Sequence, residues 1–178
     1  VESAEAALLT ASGMAAISTA ILSNLQAGEH ILAQRTLYGG SQSFLDQDAH
    51  RLGITHSSID VADPDGAKAW ERVLTSKTRM IYVESISNPL MEVGDLEAVG
   101  SFARQHDLVS VIDNTFATPV NFRPIELGFD LVVHSATKYL NGHSDLVAGA
   151  VIGSASAVDR VRHLLLHLGG SLDPHACF

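Results

Sequence analysis

The chain holds only three lysines among 178 residues, and one of them, Lys138, follows an apolar run within a few positions. The stretch His134-Ser135-Ala136-Thr137-Lys138-Tyr139-Leu140-Asn141-Gly142-His143 sets two hydroxyls and one amine within four residues. An amine held near buried surface loses part of its affinity for a proton through desolvation, which suits it to attack a carbonyl and form a Schiff base. Lys68 and Lys77 lie in polar contexts and offer no such setting. A strand-end lysine can equally do no more than reach out to water, and Ser135 and Thr137 taken alone read as turn residues.

Two further stretches bear on that choice. Thr10-Ala11-Ser12-Gly13-Met14-Ala15-Ala16-Ile17 puts small residues where a helix opens. Unpaired amides and the helix dipole there attract an anion, and glycine lets a phosphate reach the backbone. The chain has no G-x-x-x-x-G-K-[ST] for a nucleoside triphosphate. It also has no G-x-G-x-x-G after a strand, which counts against a dinucleotide-binding dehydrogenase domain. Val111-Ile112-Asp113-Asn114-Thr115-Phe116 ends an apolar run on an acid, which is costly to bury without a cation. A protonated pyridine nitrogen would be such a cation and would make pyridoxal phosphate (PLP) an electron sink. A helix N-cap or a metal ligand is the other use of such an acid. No acids or histidines gather around Asp113 in sequence, so no metal is expected. His163 and His167 share a helix face without a third ligand and are read as solvated.

The elements that must position these groups follow from hydrophobic pattern. Strands are predicted at residues 30–34, 54–59, 80–84, 108–113, 131–134 and 147–152, and several are continuous apolar runs suited to a sheet covered on both faces. Helices are predicted at 13–25, 40–52, 64–74, 95–106 and 155–167, with Asp95 as an N-cap. The alternation predicts an α/β fold of three layers around a mostly parallel sheet, in one domain. Ligands of such sheets gather at the carboxyl ends of strands, which draws attention to Glu84, Asp113 and His134. The alanine-rich start reads as helical from Val1 onward, and Phe178 stops within an apolar stretch. The chain is therefore expected to be a piece of a longer one.

Composition narrows the class. With 46% hydrophobic and 17% charged residues the chain suits a compact core, and a net charge of −9 counts against nucleic acid or an anionic membrane as partner. The single cysteine, Cys177, excludes an internal disulfide and fits a reducing compartment, so the cytoplasm is the expected location. No export signal or run of 18 apolar residues is visible.

Taken together, these motifs resemble the trans-sulfuration (Cys/Met metabolism) family of fold-type I PLP enzymes. It includes the cystathionine lyases and γ-synthase, methionine γ-lyase and the O-acyl-homoserine sulfhydrylases. The resemblance runs over essentially the whole chain and is most specific at Ser135-Ala136-Thr137-Lys138-Tyr139 with Asn141-Gly142-His143, upstream of which stands Asp113-Asn114-Thr115-Phe116. It implies the large, aspartate-aminotransferase-like PLP-binding domain. It implies further that Lys138 carries the cofactor and moves protons at the substrate's α and β carbons, and that Asp113 pairs with the pyridine nitrogen. Gly13, Met14, Ser135 and Thr137 would bind the phosphate, Tyr38 would stack on the ring and handle a proton, and Asn88 would lie beside the phenolic oxygen. Glu84 matches a family acid of unassigned role. The implied reaction is elimination or replacement at the γ or β carbon of a sulfur amino acid or an activated homoserine. A non-catalytic binding protein on the same fold is the rival, and it would be expected to lack Lys138 or Asp113.

In the family, a neighbouring subunit's N-terminal region also grips the phosphate and a small C-terminal domain grips the substrate carboxylate; neither segment is in this sequence. Residues 1–178 alone are thus expected to be inactive or to hold PLP weakly. The full enzyme is expected to be a homotetramer built as a dimer of dimers. Methionine γ-lyases usually carry a cysteine where Gly40 stands here, which tilts the expectation toward a cystathionine γ-lyase, a γ-synthase or a sulfhydrylase.

Overall fold

The computed structural model describes residues 2–178; Val1 lies outside them. Seven strands form one sheet: β1 (Ala6–Thr10), β2 (His30–Gln34), β3 (Thr55–Ile59), β4 (Thr78–Glu84), β5 (Val109–Asp113), β6 (Leu131–His134) and β7 (Gly149–Gly153). Their order is β1-β7-β6-β5-β4-β2-β3. From β3 across to β6 every pairing is parallel, while β6–β7 and β7–β1 are antiparallel. The helices are α1 (Gly13–Leu22), α2 (Gly39–Ser43), α3 (Ala67–Glu71), α4 (Leu96–Gln105), α5 (Thr118–Asn121) and α6 (Ala155–Leu168).

Alternation along the central strands builds the three layers. Met80 and Tyr82 of β4, Val111 of β5 and Leu131 and Val133 of β6 pack on one face against Ile17 and Ile21 of α1 and Val161 of α6. Ile81, Val83, Ile112 and Val132 point the other way, onto Val99 and Phe102 of α4 and Trp70 of α3. Trp70 and Phe102 meet edge to face at 5.4 Å, and the Trp70 indole donates to the Asp60 carbonyl at 2.8 Å. Both faces are covered, which is why these strands read as unbroken apolar runs.

The six expected strands are present. The alanine-rich start departs from its reading, because Ala6–Thr10 is an edge strand and not a helix. Alanine favours helix, yet Gly149–Gly153 offers a complete row of partners from Ala6↔Gly153 to Thr10↔Gly149, and pairing outweighs local propensity. Two helices are shorter than their patterns. The 64–74 segment narrows to Ala67–Glu71 because Gly66 turns at φ 49 just before it. The 40–52 segment changes winding after Ser43, running on as a π-type coil from Phe44 to Ala49. Asp95 caps α4 as expected, accepting the Ala98 amide at 2.9 Å. No described helix is long and apolar enough to cross a membrane.

Candidate active site

The carboxyl ends of β4, β5 and β6 and the start of α1 open into one cavity of about 1100 Å³. Gly13, Met14, Tyr38, Asn88, Asp113, Ser135, Thr137 and Lys138 all line it. Parallel strands make this convergence automatic, since each delivers its last residue and following loop to the same edge of the sheet.

At one end α1 begins. Ser12 caps it by accepting the Ala15 amide at 3.0 Å, which leaves the amides of Gly13 and Met14 facing outward from the first turn. A Cβ on Gly13 would stand 2.7 Å from Ser135 Cβ and 3.0 Å from its Oγ. Glycine therefore brings two potential anion donors, the helix amides and the Ser135 hydroxyl, into contact.

In the middle stands Asp113, whose Oδ1 accepts both the amide and the hydroxyl of Thr115. The same Thr115 hydroxyl receives the Ser135 amide at 2.8 Å, so one small side chain ties the end of β5 to the loop after β6. This relay had no signal in the sequence beyond Thr115 lying near Asp113. Oδ2 of Asp113 has no hydrogen-bond partner among the described residues. Burial pushes the carboxyl above its ordinary range, opposed by the Thr115 hydrogen bonds and by His134. Asp113 does not cap a helix: α5 begins only at Thr118.

Two expectations need correction. Lys138 is exposed at the cavity mouth, so this chain does not itself supply the buried surroundings read from the preceding strand. The Thr137 hydroxyl is also engaged, donating to the Ala148 carbonyl at 3.0 Å and accepting its amide at 2.9 Å. It staples the Lys138 loop to the chain entering β7, and only by exchanging that bond could it serve a phosphate.

Behind the cavity lies a network that sequence reading missed. Glu2 and His134 are each 1% exposed and meet at 2.7 Å, and Asn114 donates to the same Glu2 oxygen at 2.9 Å. Asn114 follows Asp113 and His134 precedes Ser135, so the network braces both strand ends. Its members lie 132 and 112 positions apart in sequence, too far for any local pattern to reveal. Among the described residues no group of three acids, histidines or cysteines could hold a metal. His163 is exposed and faces Asp159 at 3.4 Å; His167 is exposed too.

These residues fit PLP. The cradle that a Gly13 Cβ would fill suits a phosphate, the unpartnered Asp113 oxygen suits a protonated ring nitrogen, and the Lys138 amine suits an aldehyde.

Relatives carry the same message. L-methionine gamma-lyase of Pseudomonas putida is 45% identical over 176 residues, covering 98% of this chain and 44% of that protein. Cystathionine beta-lyase of Coxiella burnetii is 41% identical, covering 99% of the chain and 46% of its own length. The crystal structure of cystathionine gamma-lyase from Lactobacillus plantarum complexed with L-serine superposes with a TM-score of 0.92 at 38% identity, over 98% of this chain and 45% of that one. The chain thus spans less than half the length of these relatives. The sequence pattern of the Cys/Met metabolism PLP-dependent enzymes matches residues 1–178, and the chain belongs to that family.

Proposed function

We propose that this chain is the cofactor-carrying domain of an enzyme that eliminates or replaces the γ or β substituent of sulfur amino acids or activated homoserine. The observation that carries this reading is the convergence of Lys138, Asp113 and the start of α1 on one cavity. PLP, when bound, stabilises the negative charge left as the substrate's α proton departs. Lys138, which lines the cavity, would hold the cofactor through its aldehyde, and its amine could move a proton at the substrate's α and β carbons. Asp113 would hold the ring nitrogen and its proton through its unpartnered oxygen. The Gly13 and Met14 amides and the Ser135 hydroxyl would hold the phosphate, with Thr137 in reserve. Tyr38, 48% exposed at the cavity edge, would stack on the ring and could exchange a proton with the substrate. Asn88, on the wall of the same cavity, would hold the phenolic oxygen.

Within this class a cystathionine γ-lyase or γ-synthase is preferred. A Cβ on residue 40 would stand 2.5 Å from Tyr38 Cε1 and 3.0 Å from Met14 Sδ, so Gly40 lets the tyrosine ring sit where a cysteine would displace it. Methionine γ-lyase is the second reading, favoured by the 45% identity to the Pseudomonas putida protein. O-acyl-homoserine sulfhydrylase is a third member of the same class. The binding site for the amino-acid substrate would be completed by parts of the full-length enzyme outside residues 1–178, in a cytoplasmic homotetramer of shared sites whose assembly state light scattering on that enzyme would test.

Borohydride reduction of the PLP-loaded full-length enzyme, followed by peptide mapping, should place the label on Lys138. A label on another lysine would refute the site. Product assays with cystathionine, methionine and O-acyl-homoserine then rank the reactions.

A further inference from the structure

Glu84 ends β4 directly beside Asp113, its register partner on β5, and is 4% exposed. Each of its carboxyl oxygens receives one backbone amide. Oε1 takes that of Tyr38 at 2.7 Å, and Oε2 takes that of Asn88 at 3.0 Å. Its own amide donates to the Gln34 side chain, at the end of β2, at 2.8 Å. A single carboxylate thereby joins the loop after β2, which carries Tyr38, to the loop after β4, which carries Asn88.

We propose that Glu84 is a positioning residue, an ionised clamp that fixes Tyr38 and Asn88 relative to Asp113 and loosens when it takes a proton. The role rests on reading the cavity as the PLP site. Two amides converge on two oxygens, an arrangement that only a carboxylate satisfies fully. A protonated acid keeps one good acceptor and turns a donor toward the other N–H. The groups facing Glu84 are Asp113 from β5, Tyr82 from its own strand, Gln34 from β2 and the two loop amides; Tyr82 is itself within reach of the Ser41 hydroxyl at 3.3 Å. Burial raises the Glu84 carboxyl most, the Tyr38 amide lowers it, the Asp113 charge raises it and the Asn88 amide lowers it, leaving it at about 7. The clamp therefore switches near neutral pH, closed above and loosened below.

Hydrogen–deuterium exchange on the cofactor-free full-length enzyme tests this, with protection referred to the intrinsic exchange rate at each pH. Protection at Tyr38 and Asn88 should fall about tenfold between about pH 9 and about pH 5.5, with its midpoint near 7, while core amides such as Leu32 stay level. Glu84→Gln should lower protection at one or both loop amides and remove the midpoint. A flat wild-type profile, or equal protection at both amides in Glu84→Gln, would overturn the clamp. The wild-type profile decides alone if the variant does not fold. Reloading the wild-type enzyme with PLP and reducing it separates the two ideas: label absent from Lys138 condemns the cofactor site, whatever the amides show.

Discussion

At Gly13 the space between α1 and Ser135 admits a hydrogen and nothing larger. Gly13→Ala is expected to cost about 1–3 kcal/mol in packing and to weaken PLP binding at least tenfold, read by titrating the cofactor's visible absorbance. Titration curves that superimpose on wild type would remove the helix start from the phosphate cradle. Asp113→Asn should retain the fold and lower turnover by about a hundredfold or more, because a neutral amide does not hold a proton on the ring nitrogen. Turnover within twofold of wild type would contradict that role. Residue types were readable in advance because the motifs are contiguous: the Lys138 stretch and the Asp113 stretch each name their chemistry within ten positions. The side chains' engagements were not. Whether Thr137 keeps its hydroxyl free is decided by Ala148, and whether Lys138 is covered is decided by what surrounds the cavity mouth.

Elements supply the second level of control, and their ends matter more than their middles. The central strands were legible because burial on both faces makes them mostly apolar, with their acids and histidine set at the ends. β1 was not, since its alanines pattern as helix and its partner β7 lies far along the chain. The Glu2–His134–Asn114 network belongs to this level, because it joins the ends of β5 and β6 from behind. Glu2→Ala should destabilise the protein by about 3 kcal/mol in urea unfolding, since it strips the buried His134 and Asn114 donors of their acceptor. A loss under about 0.5 kcal/mol would mean that the network carries little. Glu84 adds a pH dependence of definite sign. Its folded value of about 7 exceeds the ordinary 4.5, so the folded chain binds that proton more tightly. The stability it contributes is fully present below about pH 4.5 and lost as pH rises through about 7, roughly 3 kcal/mol in all. The unfolding free energy of wild type, referred to that of Glu84→Gln, should fall by that amount as pH rises across this window. A constant gap would contradict it. The site is thus arranged for an ionised acid that the fold itself disfavours.

For the molecule as a whole, the sheet provides a rigid floor while the cavity above it stays open at Tyr139 and Val147, which are 66% and 61% exposed. Residues 1–178 expressed alone are accordingly expected to bind PLP weakly and to turn over no cystathionine. Full activity would show that the site is complete within them. Sheet order also has a consequence for the way the chain is made. β1 is the earliest strand described, yet its neighbour in the sheet is β7, and Glu2 meets His134 across 132 positions. A ribosome that has delivered β1 through β5 has delivered a strand with nowhere to sit, an alanine-rich segment whose local preference is to coil. The brace behind Asp113 and Ser135 therefore closes late in synthesis. Stalled or truncated chains lacking β7 should expose β1 to proteases and fail to capture cofactor, coupling the completion of the polypeptide to the appearance of its reactive amine in a working setting.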